Sequence, residues 1–329
     1  MNSFTDIIKK MSGLHALVIG DVMLDAYIWG SIDRISPEAP VPVVRVKQRD
    51  YRLGGAANVA LNVKALGASC TLCALIGDDE AGSRVSERMR VNDLDTSGLV
   101  TSESRPTTVK TRVISGHHHV VRVDEETDAA LSSSEFDSLT ERIDTYLQAC
   151  DVVIFEDYDK GLISEELIRY VVEKCRSMKI PVVVDPKKRN FLSYEGVTLF
   201  KPNLKELKEG LNLIFEKSDL EAVRAALNTL RETLSCDQVM VTLSEHGIMI
   251  GDSKESEHIP AHIREIADVS GAGDTVISVA ALATALSASN AEIAKLSNLA
   301  GGLVCEHTGV VPVNLDEFIR EAEKLQAKK

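Results

Sequence analysis

The residues best suited to chemistry lie late in the chain, at Asp268-Val269-Ser270-Gly271-Ala272-Gly273-Asp274, directly ahead of the apolar run Thr275 to Leu286. Two glycines around one alanine let the backbone approach a ligand closely, and the apolar run reads as a buried helix whose first N–H groups point back into the turn. Such a turn binds anions. Asp274 falls at the helix start, where the macrodipole favours a carboxylate and where it can reach a hydroxyl lying beside a bound phosphate. That arrangement suits phosphoryl transfer, although an ordinary loop-to-helix junction with an aspartate cap has the same appearance when the motif stands alone.

Two more groups of residues carry chemical potential early in the chain. Asp21 and Asp25 follow Leu14 to Ile19, a continuous apolar run ending at Gly20. Just past the carboxyl end of a buried strand is where open α/β sheets place ligands, and carboxylates there accept hydrogen bonds from sugar hydroxyls; turn chemistry alone also explains them. Leu53-Gly54-Gly55-Ala56-Ala57-Asn58 leads into an amphipathic helix, Val59 to Leu66, closed by Gly67. Its glycines again permit close approach, and Asn58 in the first turn can bind a polyol or serve as a structural amide.

Other constellations are weaker. Six cysteines are too few for a disulfide framework in 329 residues, and Cys70 and Cys73 lie in an apolar run without a second pair at metal spacing, so they read as structural thiols. In an extended segment His117 and His119 share a face while His118 points away, so His117-His118-His119 does not make a three-ligand site unaided; a solvated strand end or a substrate contact fits it better. No Gly-x-x-x-x-Gly-Lys-Ser/Thr loop occurs, and Gly271-Ala272-Gly273 lacks the third glycine and early position of a dinucleotide fingerprint.

The elements that position these residues follow from periodicity. With 44% hydrophobic residues the chain can bury a sizeable core. A formal charge of −13 argues against nucleic acid or an anionic membrane as partner, so an anionic ligand needs a local basic pocket. Met1 to Gly13 carries no signal-peptide pattern and no run is long enough to span a bilayer, which gives a cytoplasmic expectation. Strands read at Leu14 to Ile19, Thr71 to Ile76, Val152 to Phe155, Ile180 to Val184, Thr198 to Phe200 and Gln238 to Leu243, the last pairing with Gly247 to Gly251. Helices read at Asp78 to Val91, Ser132 to Ala149, Ser164 to Met178, Ser218 to Leu234 with Ser218 and Glu221 as caps, and from Asn314, ending in a basic tail, Lys324 to Lys329. The rhythm breaks twice. Pro37, Pro40 and Pro42 mark Val41 to Val46 as an edge strand, and Thr107 to Ile114 with His119 to Val123 alternate about Ser115-Gly116 as a hairpin; together they read as a small separate sheet, a lid or dimer surface.

The late Asp268 to Asp274 run with the early Gly54-Gly55-Ala56-Ala57-Asn58 resembles the paired signatures of the ribokinase, or PfkB, family of carbohydrate kinases, with order and spacing both matching. The likeness runs nearly end to end, through Pro312. It implies an α/β fold, a ribokinase-like three-layer sandwich with a mostly parallel central sheet and a small β-strand lid. One kinase domain then covers 1–329, with lid strands inserted at about 27–50 and 105–124. Gly20-Asp21-Val22-Met23-Leu24-Asp25, Arg34 to Val43, Arg105-Pro106-Thr107-Thr108 with Lys110-Thr111-Arg112, and Asp185-Pro186-Lys187 are similar to the branch that phosphorylates D-glycero-β-D-manno-heptose 7-phosphate at its anomeric oxygen with ATP and Mg2+.

By that resemblance Asp274 is the base, and the amides of Gly271, Ala272 and Gly273 form the anion hole for the transferring phosphoryl group. Asn203 and Glu206 match the family's Asn-x-x-Glu element near magnesium and the phosphates, though a capped surface helix would read the same. Thr242, Ser244 and Gly247 lie along the nucleotide, Asn298 lies by its base, and Asp268 belongs to the same nucleotide-binding set. Asp21, Asp25, Gly54, Gly55 and Asn58 hold sugar hydroxyls, while Lys160, Lys187 and Arg112 are the cations for the substrate phosphate. The family's Asp-Tyr-Gly-Lys-Gly appears here as Asp157-Tyr158-Asp159-Lys160-Gly161, and its glycine after Asp-Pro-Lys is Lys188. A homodimer through the lid, and a separate adenylyltransferase in place of the fused nucleotidyltransferase domain that many members carry, complete the expectation. Another sugar, sugar phosphate or nucleoside as acceptor, and a non-catalytic kinase-like protein, are the alternatives.

Overall fold

Residues 3–116, 118–261 and 264–327 are described by a computed structural model. Helix α1 (Phe4–Met11) opens on a capping box in which Ser3 and Asp6 satisfy each other's backbone donors, and it leads to β1 (His15–Gly20), buried over five of its six residues. Strands β2 (Val22–Ile35) and β3 (Pro42–Gly55) run out and back, followed by α2 (Ala56–Ala65), β4 (Ser69–Gly77), α3 (Glu80–Val91) and β5 (Leu99–Ser102). A second hairpin, β6 (Thr108–Ser115) and β7 (His118–Glu125), precedes α4 (Ser133–Leu147), β8 (Val152–Glu156), α5 (Glu165–Met178), β9 (Val182–Asp185), β10 (Leu199–Phe200) and α6 (Leu204–Gly210). The chain finishes with α7 (Leu220–Leu234), β11 (Gln238–Thr242), β12 (Ile248–Gly251), β13 (Ser256–Ile259), α8 (Ala272–Ala285), α9 (Asn290–Val304) and α10 (Leu315–Ala327).

Nine strands form the main sheet in the order β13-β12-β11-β10-β9-β8-β1-β4-β5. All neighbouring pairs from β11 to β5 are parallel, and the β11–β12 and β12–β13 pairs at the far edge are antiparallel, so that β12 is the reversed strand. The uninterrupted apolar runs of β8 and β9 are buried at every position, as strands covered on both faces must be. Helices α2, α8 and α9 pack side by side, while α4 lies on β4 and β5 and α7 on β11 and β12, giving three layers. Because seven strands run the same way, their carboxyl ends share one edge, and Asp21, Glu156, Asp185, Lys201 and Thr242 arrive there together.

The lid is a separate four-stranded sheet in the order β3-β2-β6-β7. It is longer than the sequence suggests: β2 begins at Val22, not near residue 27, and β3 continues to Gly55. Asp25 therefore lies on a lid strand, in register with Arg52 and Lys110, rather than in a turn after β1. Burial falls along β2 from Val22 to Ile35 without alternating, so no period-two pattern marks where the strand begins. Ile35, Val41, Val121 and Val123 stay about half exposed on the lid. The α7 cap is Asp219, whose side chain accepts from the Ala222 amide, so the Ser218–Glu221 spacing is coincidental. His118 and His119 sit on β7 opposite Ser115 and Ile114; His117 and the tail residues Lys328 and Lys329 lie outside the described residues. Cys73, Cys150, Cys175 and Cys236 are buried free thiols, and burial pushes the Cys73 thiol up to about 12.

Candidate active site

Helix α8 begins at Gly271, which holds the left-handed φ of 78° that the turn requires. Gly273 is exposed, Ala272 is partly so, and one residue further on Asp274 is only 7% exposed, so a buried carboxylate stands directly behind an accessible turn. The Ala272 amide donates to Val269 O at 3.3 Å. The Asp268 carboxylate shapes the turn: it accepts from the Ser270 amide and hydroxyl at 2.9 and 2.8 Å and from the Gly309 amide at 2.9 Å.

Two donors grip Asp274. Asn58 Nδ2 reaches Oδ2 at 2.6 Å and the Tyr158 hydroxyl reaches Oδ1 at 3.0 Å. Asn58 is fixed by the polar seam between α2 and α8, where Thr275 Oγ1 donates to Asn62 Oδ1 at 2.9 Å and Asn62 Nδ2 to Asn58 O at 3.0 Å. Burial pushes the Asp274 carboxyl up to about 6; the Asn58 hydrogen bond opposes this, the Asp185 charge adds to it, and Tyr158 and Lys201 oppose it. A carboxylate poised there is ionised at neutral pH and basic enough to take a proton.

On the lid side, Asp21 Oδ2 accepts from the Tyr158 and Lys160 amides at 2.9 and 3.1 Å, and Oδ1 from the Leu162 amide at 3.3 Å. Its first duty is thus to fold the Asp157–Leu162 loop, and it keeps lone pairs for a ligand hydroxyl. Gly54 and Gly55 are dictated by crowding: a Cβ on Gly54 would meet Asp25 Oδ2 at 2.5 Å, and one on Gly55, at φ 58°, would run into the Asp21 carbonyl. Asp25 pairs with Arg112, whose guanidinium lies 5.4 Å from the Tyr27 ring centre; Arg52 lies 5.0 Å from the same ring. Lys160 pairs with Glu126 at 2.7 Å, and a small cavity lined by Asp21, Arg105, Thr108, Thr127 and Lys160 opens beside it.

On the opposite side, Asn203 and Glu206 form a capping box at α6, with reciprocal bonds of 2.9 and 2.8 Å, and Glu206 Oε1 also takes Lys187 at 2.8 Å. Lys187 is thus held by the Asn203–Glu206 box, whereas Lys160 pairs with Glu126. Among the described residues no cluster of three or more carboxylate, imidazole or thiol ligands could hold a metal unaided. Magnesium keeps several waters and takes one or two carboxylates plus substrate phosphates, so Glu206 with Asn203 fits water-mediated binding. Asn203 bridges to Thr242, and Ser244 sits at φ 52° in a short 3-10 turn. Gly247 and Asn298 converge on one segment: a Gly247 Cβ would strike Ile259 O, and Asn298 Nδ2 donates to Pro260 O at 2.8 Å.

Sequence reasoning assigned no role to Tyr158, Glu156, Asp185 or Lys201. Lys201 and Asp185, both nearly fully buried, pair at 2.8 Å, and Glu156 stands opposite Asp185 in the β8–β9 register with both carboxyl oxygens buried and without a hydrogen-bond partner among the described residues. Burial, then the Asp185 and Asp274 charges, push the Glu156 carboxyl well up. The only signal was polar residues at strand ends, which cannot say who pairs with whom. Asp159 occupies the left-handed region at φ 56°, which explains the glycine usual there and why a short acidic side chain can replace it. Asp157 is structural, accepting from Tyr194 at 2.9 Å and the Asp159 amide at 2.8 Å. Lys188 is exposed.

Known proteins resemble this chain in sequence and in fold. A sequence model described as "pfkB family carbohydrate kinase" matches residues 14–316. The chain is 39% identical over 329 residues to "Bifunctional protein HldE" of Methylobacillus flagellatus, covering 99% of this chain and 67% of that one. It is 40% identical over 321 residues to the protein of the same name from Caulobacter vibrioides, covering 97% and 66%. It thus spans about two thirds of the length of these relatives. Among solved structures, phosphofructokinase-2 from Escherichia coli in complex with potassium superposes with a TM-score of 0.77 at 20% identity, covering 95% of this chain and 99% of that one. Arabidopsis thaliana ribokinase complexed with ribose and ATP gives 0.73 at 15%, covering 93% and 99%.

Proposed function

This chain belongs to the pfkB family of carbohydrate kinases, and from that membership we propose that it transfers the γ-phosphoryl group of ATP to the anomeric hydroxyl of D-glycero-β-D-manno-heptose 7-phosphate, giving the 1,7-bisphosphate for ADP-heptose and lipopolysaccharide core synthesis. The observation that carries the kinase chemistry is Asp274, buried behind the exposed Gly271–Gly273 turn and held by Asn58 and Tyr158. The heptose substrate rests on the motif resemblance and on relatives 39–40% identical.

In the reaction Asp274 takes the proton of the acceptor hydroxyl as its oxygen bonds to the γ-phosphorus and the bond to ADP breaks. The Gly271 and Gly273 amides and the start of α8 face the charge on the transferring group, and the Ala272 amide joins them on leaving Val269 O. Lys187, beside Glu206, belongs to the transferring phosphoryl group rather than to the sugar phosphate. Glu206 and Asn203 would hold magnesium through water, and the ion would neutralise charge along the nucleotide phosphates. Thr242, Ser244, Gly247, Asp268 and Asn298 shape the nucleotide side. Asp21, Asp25, Gly54, Gly55 and Asn58 take the sugar, with Lys160 and Arg112 for its phosphate. The half-exposed apolar residues of the lid support a homodimer through that sheet, and sedimentation as a monomer at micromolar concentration would count against it.

A second reading has its own support: Lys160 and Arg112, the two cations left for a sugar phosphate, already face the carboxylates of Glu126 and Asp25, which favours an acceptor without a phosphate group. Phosphorus NMR of the protein with ATP, magnesium and a panel of sugars separates the two. A new anomeric phosphate on heptose 7-phosphate is the expected result, and faster turnover of an unphosphorylated sugar would overturn the substrate assignment. Asp274→Asn is expected to keep nucleotide binding and lose turnover by about three orders of magnitude or more. Unchanged turnover would remove the base.

A further inference from the structure

Tyr158 lies in the loop after β8, and three of its groups are tied to three different parts of the site. Its amide donates to Asp21 Oδ2 at 2.9 Å, on the sugar side. Its hydroxyl donates to Asp274 Oδ1 at 3.0 Å. Its ring lies 5.2 Å from Lys187 Nζ, which pairs with Glu206 on the phosphate side. We propose that Tyr158 is a positioning residue for phosphoryl transfer, fixing the Asp274 carboxylate by Oδ1 and tying its orientation to Asp21 and Lys187; this rests on reading Asp274 as the base.

The geometry carries the inference. With Asn58 on Oδ2 and Tyr158 on Oδ1, the carboxylate plane cannot turn, and the lone pairs left on the two oxygens fix the direction from which an acceptor hydroxyl can approach. Burial and the Asp274 charge, with Glu156 and Asp185 adding to it, push the phenol well above its ordinary ionisation, so the hydroxyl donates at every working pH. The groups around Asp274 divide by sign. Asp185 and Glu156 oppose its ionisation, Lys201 favours it, and Asn58 and Tyr158 are the two neutral donors that stabilise the charged form. Removing the Tyr158 hydroxyl makes Asp274 hold its proton to higher pH.

The test is Tyr158→Phe in the full chain, assayed by ADP release from ATP and magnesium with the best acceptor of the sugar panel, from pH 5.5 to 9. The acid limb of kcat is expected to move to higher pH. At pH 6.5 kcat is expected to fall about ten- to a hundredfold, the factor one hydrogen bond to an ionised group is worth, and to recover partly by pH 9. The KM for ATP is expected to stay within about twofold, because no ATP contact is removed. A fluorotyrosine at position 158, a stronger donor of the same shape, is expected to move the limb the other way and serves if the phenylalanine variant folds poorly. In both variants the Asp274 carboxyl, followed by carbon NMR and assigned with Asp274→Asn, is expected to titrate in step with the limb. Limbs that coincide with wild type in a folded variant overturn the inference. If Asp274→Asn itself retains turnover, the reading of the base fails instead.

Discussion

Lys201→Met isolates the buried electrostatics under the site. Lys201 is 3% exposed, and its Nζ lies 2.8 Å from Asp185 Oδ2 on a side chain 8% exposed, so neither partner can recover hydration if the other is lost. Removing one member of such a pair costs about 3–5 kcal/mol, chiefly for the charge left behind. For 329 residues, an unfolding entropy of roughly 2 cal/mol/K per residue turns this into a fall in Tm of about 4–7 °C. Without the cation, the buried carboxyls facing each other across the β8–β9 register have lost the charge that opposes the rise of Glu156, and the pair binds protons more tightly than in the unfolded chain. The folded state then binds the extra proton between the two pKa values, so the variant loses stability as pH rises and its deficit is smaller at pH 5 than at pH 8. Differential scanning calorimetry at both values measures this. Lys201→Met with Asp185→Asn leaves no bare charge and is expected to regain most of the loss. A Tm change under about 1 °C at pH 8, or equal deficits at both pH values, would refute the reasoning.

Glu156→Gln is expected to be more stable than wild type by a margin that widens from pH 5 to pH 9. The folded carboxyl is raised above its unfolded value, so the wild-type stability it contributes is full below about 4.5 and drains away as pH rises, while the amide does not titrate; urea denaturation at the two pH values reads the difference. Gly55→Ala forces a Cβ into the Asp21 carbonyl at a left-handed φ of 58° and is expected to cost more than about 1 kcal/mol and to raise the KM for the sugar, measured by thermal melting and initial rates. For the wild-type protein, kcat/KM is expected to fall tenfold per pH unit below the Asp274 value of about 6, and a profile flat to pH 5 would exclude this residue as the titrating base.

Much of the architecture was legible before any coordinates. Fully apolar strands such as Val152 to Phe155 suit the centre of a parallel sheet, and the capping box at Ser132 fixed where α4 begins. The Gly271–Asp274 turn was visible for the same reason: the φ demand of a glycine and the start of an apolar helix are properties of a few adjacent residues. The lid was read too short because β2 passes from buried to exposed along its length instead of alternating between faces.

Partner choice was not legible. Asn58 and Tyr158 reach Asp274 across 216 and 116 residues, and Lys187 turned to Glu206 instead of joining Lys160. Hydrophobic periodicity is a one-dimensional signal that survives in the sequence, and it settled the layers and the edge at which the polar residues arrive. A hydrogen bond or ion pair depends on ångström distances between strand ends that only the packed sheet sets. The sequence therefore determined that Asp274 would start a buried helix behind a glycine-rich turn, and the tertiary structure alone decided which donors hold its carboxylate and how far burial raises its pKa.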